Sequence, residues 1–259
     1  MVLQRLLVRK IYDRILTVGT FDKKTDTVVR LYQRRHGLVS DGVVGPNTWR
    51  SLISSAPPPR PVGTPGQCGN TGKGVFLVFD DYPLSLDGYK ALINEAVRLN
   101  IGIGVAPNGQ FVVSGRADIG YARRAGMYPV DHTYDHKNLT QLSYAAVYRE
   151  ITTSGVSSKW GRPPYGALND TSRSAYKNAG MNLCLWTLDP RDWDGRSTRS
   201  AADYIIANAR SGSTVVVHLN HLGTDRAQLS RIKSGLQNRG LTLCRPNSGT
   251  TPEDWRPNC

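Results

Sequence analysis

Residues 74–81 read GVFLVFDD, an apolar run that ends in two adjacent carboxylates, Asp80 and Asp81. Four further apolar runs follow, IGIGVA, YPV, NLCLW and STVVV, and segments with helical spacing such as LDGYKALINEAVRL, LSYAAVYREI and RSAADYIIANA lie between them. Fully apolar strands that alternate with helices are typical of a parallel sheet covered by helices. The sequence therefore predicts an α/β fold whose ligand site lies at the carboxyl ends of the strands.

Polar clusters stand where such a fold would place an active site. Asp80 and Asp81 repel each other unless a cation or another partner compensates their charge. The segment DHTYDH places His132 and His136 four residues apart, and on a helical turn this spacing puts both imidazoles on one face. With a carboxylate from another strand end, these histidines would form a metal site that leaves positions open for water and substrate.

Three more clusters carry charged or aromatic side chains. The loop RPPYG contains Tyr165 and Arg162, and a guanidinium such as that of Arg162 can hold a carboxylate through paired hydrogen bonds. The segment LDPRDW contributes Asp192 and Trp193, and the run STVVV closes on His218. Taken one at a time, an Asp-Asp pair, an HxxxH pair and a Pro-rich loop are more often structural than functional. The active-site interpretation rests on the occurrence of all these clusters together in one chain.

These five segments, in this order and at these spacings, resemble the polysaccharide deacetylase family, which is the NodB homology domain of carbohydrate esterase family four. The resemblance spans about residues 74 to 243 and implies a distorted (β/α) barrel with parallel strands. It implies metal-dependent removal of N-acetyl groups, with release of acetate, from a cell-wall or chitin-like glycan, with peptidoglycan N-acetylglucosamine as the first choice. The alternatives are a chitooligosaccharide deacetylase, an acetylxylan esterase and, from a different class, a non-catalytic cell-wall-binding protein.

The resemblance also implies which residues bind the metal and activate water. Asp81, His132 and His136 would hold a divalent metal ion, with zinc favoured and cobalt as the alternative. Asp80 would be the general base, and Arg162 would orient it.

The remaining roles fall on the later motifs. His218 would be the general acid, and Asp192 would orient it and tune its protonation. The backbone N–H of Tyr165 would help to hold the oxyanion. Trp193 and Val216 would line the substrate groove.

Two positions depart from the pattern that is usual in the family. Tyr82 stands where Thr-Phe-Asp-Asp is normally followed by Gly, and Val216 begins the string that usually reads Leu-x-His. A bulky ring beside the metal ligand predicts a reshaped cleft, and the change at Val216 predicts a slightly different pocket for the acetyl methyl group. Neither change removes a group that the chemistry requires, so both bear on substrate size.

A proline-rich stretch, SSAPPPRPVGTPGQ at residues 54–67, divides the chain. Proline fixes φ and removes backbone donors, so this stretch is predicted to be an extended linker. It separates a small N-terminal domain, residues 1–53, from a catalytic domain, residues 68–259.

The N-terminal segment is predicted to form three short helices. Apolar residues recur at helical spacing from Leu3, a second helix runs from an N-cap near Thr25 to Gly37, and a third begins at Pro46. The segment resembles the three-helix peptidoglycan-binding domain of bacteria, most specifically in the string DGVVGPNTW at residues 41–49. The same residues would also serve simply to fold a small helical unit.

The chain has a formal charge of +13, which suits an anionic polymer. Its basic residues are scattered, with no Lys/Arg run longer than two, so we expect a wall glycan and no nucleic acid as partner. No apolar stretch approaches the length of about 18 residues typical of a membrane span. The N-terminus lacks the apolar core of a signal peptide, so we expect a mature bacterial protein, or one released by another route, that acts as a monomer outside the cell or in its wall.

Four cysteines, Cys68, Cys184, Cys244 and Cys259, are too widely spaced for a four-thiolate zinc site. Their even number favours two disulfides in an exported protein, with three connectivities open. Cys184 lies in the apolar run NLCLW and would fit equally well as a buried free thiol.

Overall fold

A computed structural model describes residues 3, 20–35, 38–53, 68–247 and 257–259. Contacts between residues divide the chain into two units, Met1–Arg60 with Trp193–Arg196 and Pro61–Asp192 with Ser197–Cys259. The predicted linker, residues 54–67, lies outside the described residues, as does nearly all of the first predicted helix. The domain boundaries therefore remain a prediction.

The small unit contains helices α1 (Lys23–Arg35) and α2 (Pro46–Ile53). Helix α1 begins two residues before the predicted N-cap at Thr25, because the side chain of Asp22 accepts the Thr25 backbone N–H at 2.7 Å and so caps the helix itself. Helix α2 begins at Pro46, as predicted. The predicted stop of α1 at Gly37 lies outside the described residues.

The turn between α1 and α2 is held by one buried glutamine. The side-chain amide nitrogen of Gln33 donates to the Asp41 carboxylate and to the Val43 carbonyl, both at 2.8 Å, and its oxygen accepts the Gly42 N–H at 2.9 Å. Gly42 has φ +74°, a conformation that favours glycine. The start of the DGVVGPNTW string is thus required by the fold of this unit.

Within its described residues, the larger unit contains six parallel strands: β1 (Phe76–Asp81), β2 (Gly104–Pro107), β3 (Tyr128–Pro129), β4 (Trp160–Gly161), β5 (Asn182–Leu183) and β6 (Thr214–His218). They pair in the order β3-β2-β1-β6 and β4-β5. Parallel bridges from Asp131 to Gly161 and from Leu188 to Val215 join the two sheets at both edges. The strands therefore form an irregular ring, and the predicted distorted barrel is confirmed. The short strand β4 was absent from the sequence prediction.

Helices alternate with the strands: α3 (Leu86–Arg98), α4 (Gly109–Val113), α5 (Ile119–Arg124), α6 (Tyr144–Thr152), α7 (Asp170–Asn178), α8 (Thr198–Asn208) and α9 (Ala227–Asn238). Three of them, α3, α6 and α8, match segments predicted as helical. Among the helices that the structure describes, none is both long enough and apolar enough to span a bilayer.

Alternation along β1 decides which side chains enter the barrel. Leu77 and Phe79 pack in the large core beneath the helices, whereas Phe76 and Val78 belong to a separate interior cluster. Asp80 is the next residue in the interior series and follows Val78 at the carboxyl end of the strand. The alternation thus brings a carboxylate to the mouth of the barrel, where the sequence predicted the ligand site.

All four cysteines form disulfides, Cys68–Cys184 and Cys244–Cys259. The prediction of two disulfides matches this pairing, and the free-thiol interpretation of Cys184 is wrong. Cys68 and Cys184 belong to the interior cluster of the barrel.

Candidate active site

Asp80 and Arg162 form a buried ion pair at the mouth of the barrel. Arg162 is fully buried, and its Nη1 donates to Asp80 Oδ1 at 2.8 Å. Its Nε donates to the carbonyl of Cys184 at 3.0 Å, which fixes the plane of the guanidinium. Burial raises the pKa of Asp80 because desolvation outweighs the opposing charge of Arg162.

Asp81, His132 and His136 converge beside this pair. Asp81 Oδ1 lies 3.5 Å from His132 Nε2 and 3.2 Å from His136 Nε2. His132 Nδ1 lies 2.8 Å from the Arg162 carbonyl oxygen, which can only accept, so Nδ1 carries the proton and Nε2 is the ligand atom in the neutral ring. One ligand atom from each of the three residues lies within 4.8 Å of the others.

The chemistry of this set fits a divalent metal ion. Asp81 Oδ1 is buried and accepts no hydrogen bond from the part of the chain that the structure describes. A buried carboxylate oxygen without a donor is costly unless a cation compensates it. Although burial opposes ionisation, the charge of His136 and the other neighbouring groups hold the pKa of Asp81 well below its usual range.

The two histidines approach each other through a bent loop, so the predicted helical turn is wrong. Thr133 and His136 have φ of 62° and 63°, in the left-handed region. Asp131 stabilises this bend: its Oδ1 accepts the Thr133 N–H at 3.2 Å, and its Oδ2 accepts the hydroxyl of Ser154. Burial raises the pKa of Asp131 to about 7.

Glu150 on α6 gives the same loop a second support. Its Oε2 accepts the N–H groups of Tyr134 and Asp135, each at 3.2 Å, and its Oε1 pairs with Lys137 Nζ at 2.9 Å. No sequence pattern identifies this residue, because a buried acid inside an amphipathic helix has no local signature. Asp131 was within the quoted DHTYDH segment, so its position was a usable signal.

His218 and Asp192 form a second pair, in which Asp192 is buried and His218 is partly buried. His218 Nδ1 lies 2.7 Å from Asp192 Oδ1, while Asp192 Oδ2 accepts the backbone N–H groups of His218 and Leu222 at 2.9 and 3.1 Å. Burial opposes the imidazolium, but Asp192 outweighs it and raises the pKa of His218 to about 9. The charge of His218 in turn lowers the pKa of Asp192 against the effect of burial.

Strand register brings the two pairs together. Asp80 and His218 are direct partners in the parallel pairing of β1 with β6, so their backbones are neighbours at one edge of the sheet. His218 also feels the charges of Asp80 and Asp81. A carboxylate and an imidazolium thus share the barrel mouth with the candidate metal ligands.

Of the remaining predicted residues, Tyr165 contacts this set, while Val216 and Trp193 neighbour it in sequence. Tyr165 adopts φ 61° in the three-residue 3₁₀ segment Pro164–Gly166, and its hydroxyl lies 3.2 Å from His136 Nδ1. Val216 is buried in β6 two residues before His218. Trp193 directly follows Asp192 and is partly buried. The oxyanion role of the Tyr165 N–H and the groove roles of Val216 and Trp193 remain predictions.

Tyr82, the residue that replaces the usual glycine, packs against α4. Its ring stacks on Phe111 with centroids 5.2 Å apart and an interplanar angle of 28°. The guanidinium of Arg116 lies 5.6 Å from the centre of the Phe111 ring. The substitution thus adds an aromatic pair next in sequence to Asp81.

Fold and site together define a parallel α/β barrel with an Asp-His-His set and two charge pairs at its mouth. Residues 69–184 match the family model for polysaccharide deacetylase, and residues 1–52 match that for a peptidoglycan binding domain. The segment 69–184 is therefore assigned to the polysaccharide deacetylase family, and the segment 1–52 to the peptidoglycan-binding family.

Named relatives and solved structures are similar over the larger part of the chain. The peptidoglycan-N-acetylglucosamine deacetylase PgdA of Listeria monocytogenes is 29% identical over 184 residues, which are 66% of this chain and 37% of the relative. A family 4 carbohydrate esterase from Streptomyces lividans, solved in complex with acetate, is 26% identical with a TM-score of 0.59, covering 73% of this chain and 97% of that one.

A further solved structure is the peptidoglycan deacetylase PdaC from Bacillus subtilis. It is 25% identical with a TM-score of 0.58 and covers 67% of this chain and 88% of the solved one. The chain spans only 19% to 37% of the length of three curated relatives that it matches, PgdA among them.

Proposed function

We propose that the protein hydrolyses the N-acetyl group of N-acetylglucosamine residues in bacterial peptidoglycan, releasing acetate and leaving a free amine on the glycan. The observation that carries this proposal is the register pairing of Asp80 with His218, each held by a buried residue of opposite charge. Amide hydrolysis needs a base for the water and an acid for the leaving nitrogen. These two side chains supply both beside a set of metal ligands.

Asp81, His132 Nε2 and His136 Nε2 would hold the divalent ion, which we propose to be zinc, with cobalt as the alternative. When bound, such an ion supplies Lewis-acid chemistry to the acetyl carbonyl and to the attacking water. The fixed tautomer of His132 supports this assignment, because its Nδ1–H is already engaged with the Arg162 carbonyl.

Asp80 would take the proton from the attacking water at Oδ2, because Oδ1 already accepts a hydrogen bond from Arg162. Arg162 cannot deprotonate under ordinary conditions, so it orients the carboxylate without competing for the proton. The Tyr165 N–H is proposed to donate to the oxyanion that forms on the acetyl oxygen. Loss of one such donor typically costs ~10²–10³ in rate.

His218 would then protonate the departing glucosamine nitrogen from Nε2. Its Nδ1 is committed to Asp192 at 2.7 Å, which leaves Nε2 to transfer the proton. Since the pKa of His218 is raised to about 9, the side chain carries that proton at neutral pH. The C–N bond breaks as the amine receives the proton, and the acetyl carbon leaves as acetate.

Peptidoglycan is favoured as substrate by the N-terminal segment and by the activities of the similar peptidoglycan deacetylases. A wall-binding segment on the same chain raises the local concentration of glycan around the catalytic unit. The formal charge of +13 is compatible with an anionic wall. We propose that the chain acts as a monomer outside the bacterial cell or in its wall.

The test is acetate release and free-amine formation by the purified chain on peptidoglycan, chitohexaose and acetylated xylan in parallel. Each substrate is assayed with zinc, with cobalt and with a chelator. We expect metal-dependent turnover that is fastest on peptidoglycan. Faster acetate release from acetylated xylan would show that the substrate is an acetyl ester and not peptidoglycan, in keeping with the likeness to the Streptomyces esterase. Binding to wall without acetate release by the metal-loaded chain would identify a non-catalytic wall-binding protein.

A further inference from the structure

The guanidinium of Arg162 contacts more than the proposed base. Its Nη1 faces Asp80, whereas its Nη2 faces the disulfide, 3.3 Å from Cys68 Sγ and 3.4 Å from Cys184 Sγ. Nη2 also lies 3.4 Å from the carbonyl oxygen of Leu185. One side of this cation therefore holds the carboxylate, and the other rests on the two sulfur atoms.

This arrangement lies inside the barrel. Arg162, Cys68 and Cys184 are 0%, 1% and 0% exposed, and the disulfide packs with Phe76 and Val78 in the interior cluster. A buried guanidinium needs an acceptor on each edge, because its lost hydration is not otherwise replaced. The weak sulfur acceptors and the Leu185 carbonyl provide this on the Nη2 edge.

We infer that the Cys68–Cys184 disulfide is a positioning group for the reaction, acting on Asp80 through Arg162. The inference rests on the proposed function, in which Asp80 is the base. The disulfide touches neither the glycan nor the metal ligands in this scheme. The disulfide fixes the position of the guanidinium. The guanidinium in turn determines which oxygen of Asp80 is left to accept the proton of the water.

The physical reason is the covalent bond, which keeps both sulfur atoms beside Nη2 of Arg162. The disulfide also ties Cys184, whose carbonyl accepts from Arg162 Nε, to a residue 116 positions away. Without this bond, both the sulfur contacts and the carbonyls that hold the guanidinium are free to shift. A displacement of about 1 Å in an active site can cost 10²-fold in rate.

The chain supplies a matched control in its second disulfide. Cys244–Cys259 lies in the same unit, and Cys244 belongs to the same interior cluster, but within the described residues this disulfide accepts no hydrogen bond from Arg162. We therefore compare Cys68→Ala/Cys184→Ala with Cys244→Ala/Cys259→Ala. Both are metal-loaded full chains, assayed at a temperature at which circular dichroism shows them folded. Cys68→Ala/Cys184→Val, which refills more of the sulfur volume, serves if the first variant does not fold.

The expected result is a loss of about tenfold to a hundredfold in kcat for the Cys68/Cys184 variant. Its KM and its metal content should stay within twofold of wild type, and the control should keep its kcat. Arg162→Lys should lower kcat in the wild-type background and have little further effect once the Cys68–Cys184 bond is gone. Equal loss in both cysteine variants, or additive effects with Arg162→Lys, would overturn the inference.

A spectroscopic measurement separates this inference from the proposed function. The Arg162 Nε–H resonance in a ¹⁵N spectrum, identified by its loss in Arg162→Lys, should shift in the Cys68/Cys184 variant and stay unchanged in the control. If the wild type releases acetate from none of the glycans, the proposed function fails while this resonance still tests the positioning role. An unchanged resonance in the Cys68/Cys184 variant refutes that role.

Discussion

The two charge pairs at the barrel mouth differ in which member is the proposed reacting group. In the Asp80–Arg162 pair the proposed reacting group is the carboxylate, with 4% of its side chain exposed against 0% for Arg162. In the His218–Asp192 pair it is the cation, with 13% exposed against 1% for Asp192. In both pairs the more buried residue carries the fixed charge, and the more exposed one is the proposed reacting group. Burial thus distinguishes the group that orients from the group that exchanges a proton.

The largest effect is expected at the base. Asp80→Asn keeps an oxygen for Arg162 but cannot take a proton, so kcat should fall toward the upper end of ~10²–10⁴-fold while the metal is retained. Acetate release and metal content of the purified variant measure this. Asp203→Asn, which breaks an exposed pair with Arg231, is the control and should change kcat less than twofold. A kcat within tenfold of wild type for Asp80→Asn would remove Asp80 from the base role.

The acid and the metal ligands are distinguished by comparing two histidines. His218→Ala should lower kcat by about 10²–10³-fold because the leaving nitrogen loses its proton donor, yet the chain should keep its metal. His132→Ala removes a proposed ligand atom and should lose the metal itself. Metal content by elemental analysis, beside kcat, decides between the roles. Equal metal loss in both variants contradicts them.

The charge behind the acid should control the pH dependence. Asp192→Asn removes the charge that contributes most to the raised pKa of His218 and leaves only Asp80 and Asp81 to oppose burial, so this pKa should fall from about 9 toward its ordinary value of 6.5. Wild-type kcat should then persist to about pH 9, whereas the variant should already decline near neutral pH, with a loss of roughly tenfold or more at pH 8. The kcat profile from pH 5 to 10 measures this. Identical alkaline limbs would show that Asp192 does not set the protonation of His218.

The same pair predicts a dependence of stability on pH. The pKa of folded His218 lies above its unfolded value, so the stabilisation is complete below about pH 6.5 and is lost as pH rises through about 9. The difference in unfolding free energy between wild type and Asp192→Asn should therefore be larger at pH 6 than at pH 10. Urea unfolding at both values measures it, and an equal difference contradicts the pairing.

The smallest effect is expected at Tyr82, which belongs to neither pair. Because its ring stacks on Phe111, Tyr82→Gly should leave kcat within about twofold and raise KM by about 3- to 10-fold, as for loss of one stacking surface. Phe111→Ala should shift KM in the same direction if the rings act as one surface. Kinetics on glycans of two lengths measure both. A kcat loss as large as that for His218→Ala would place Tyr82 in the machinery instead.

Several features of the fold and the site could be predicted because they depend on local pattern. Apolar runs predict the strands β1 and β6, and helical spacing predicts the helices α3 and α6. The polar residues that follow each apolar run identify the candidate site. The bend at Thr133 and His136 could not be predicted, because their left-handed backbone is stabilised by Asp131 and by Glu150 from another element. Strand β4 could not be predicted for a similar reason. Two residues are too short to show a periodic pattern, and only their pairing with β5 identifies them as a strand.

The sequence by itself determined the residue types of the site, their order along the chain and the alternation that turns Asp80 into the barrel. The tertiary structure alone decided the pairings: Cys68 with Cys184, Arg162 with Asp80 and with the sulfur atoms, and Asp80 opposite His218. Local periodicity follows from backbone geometry within a few residues. A contact between positions 82 or 116 residues apart depends on how the whole barrel closes, and no short stretch of sequence encodes that.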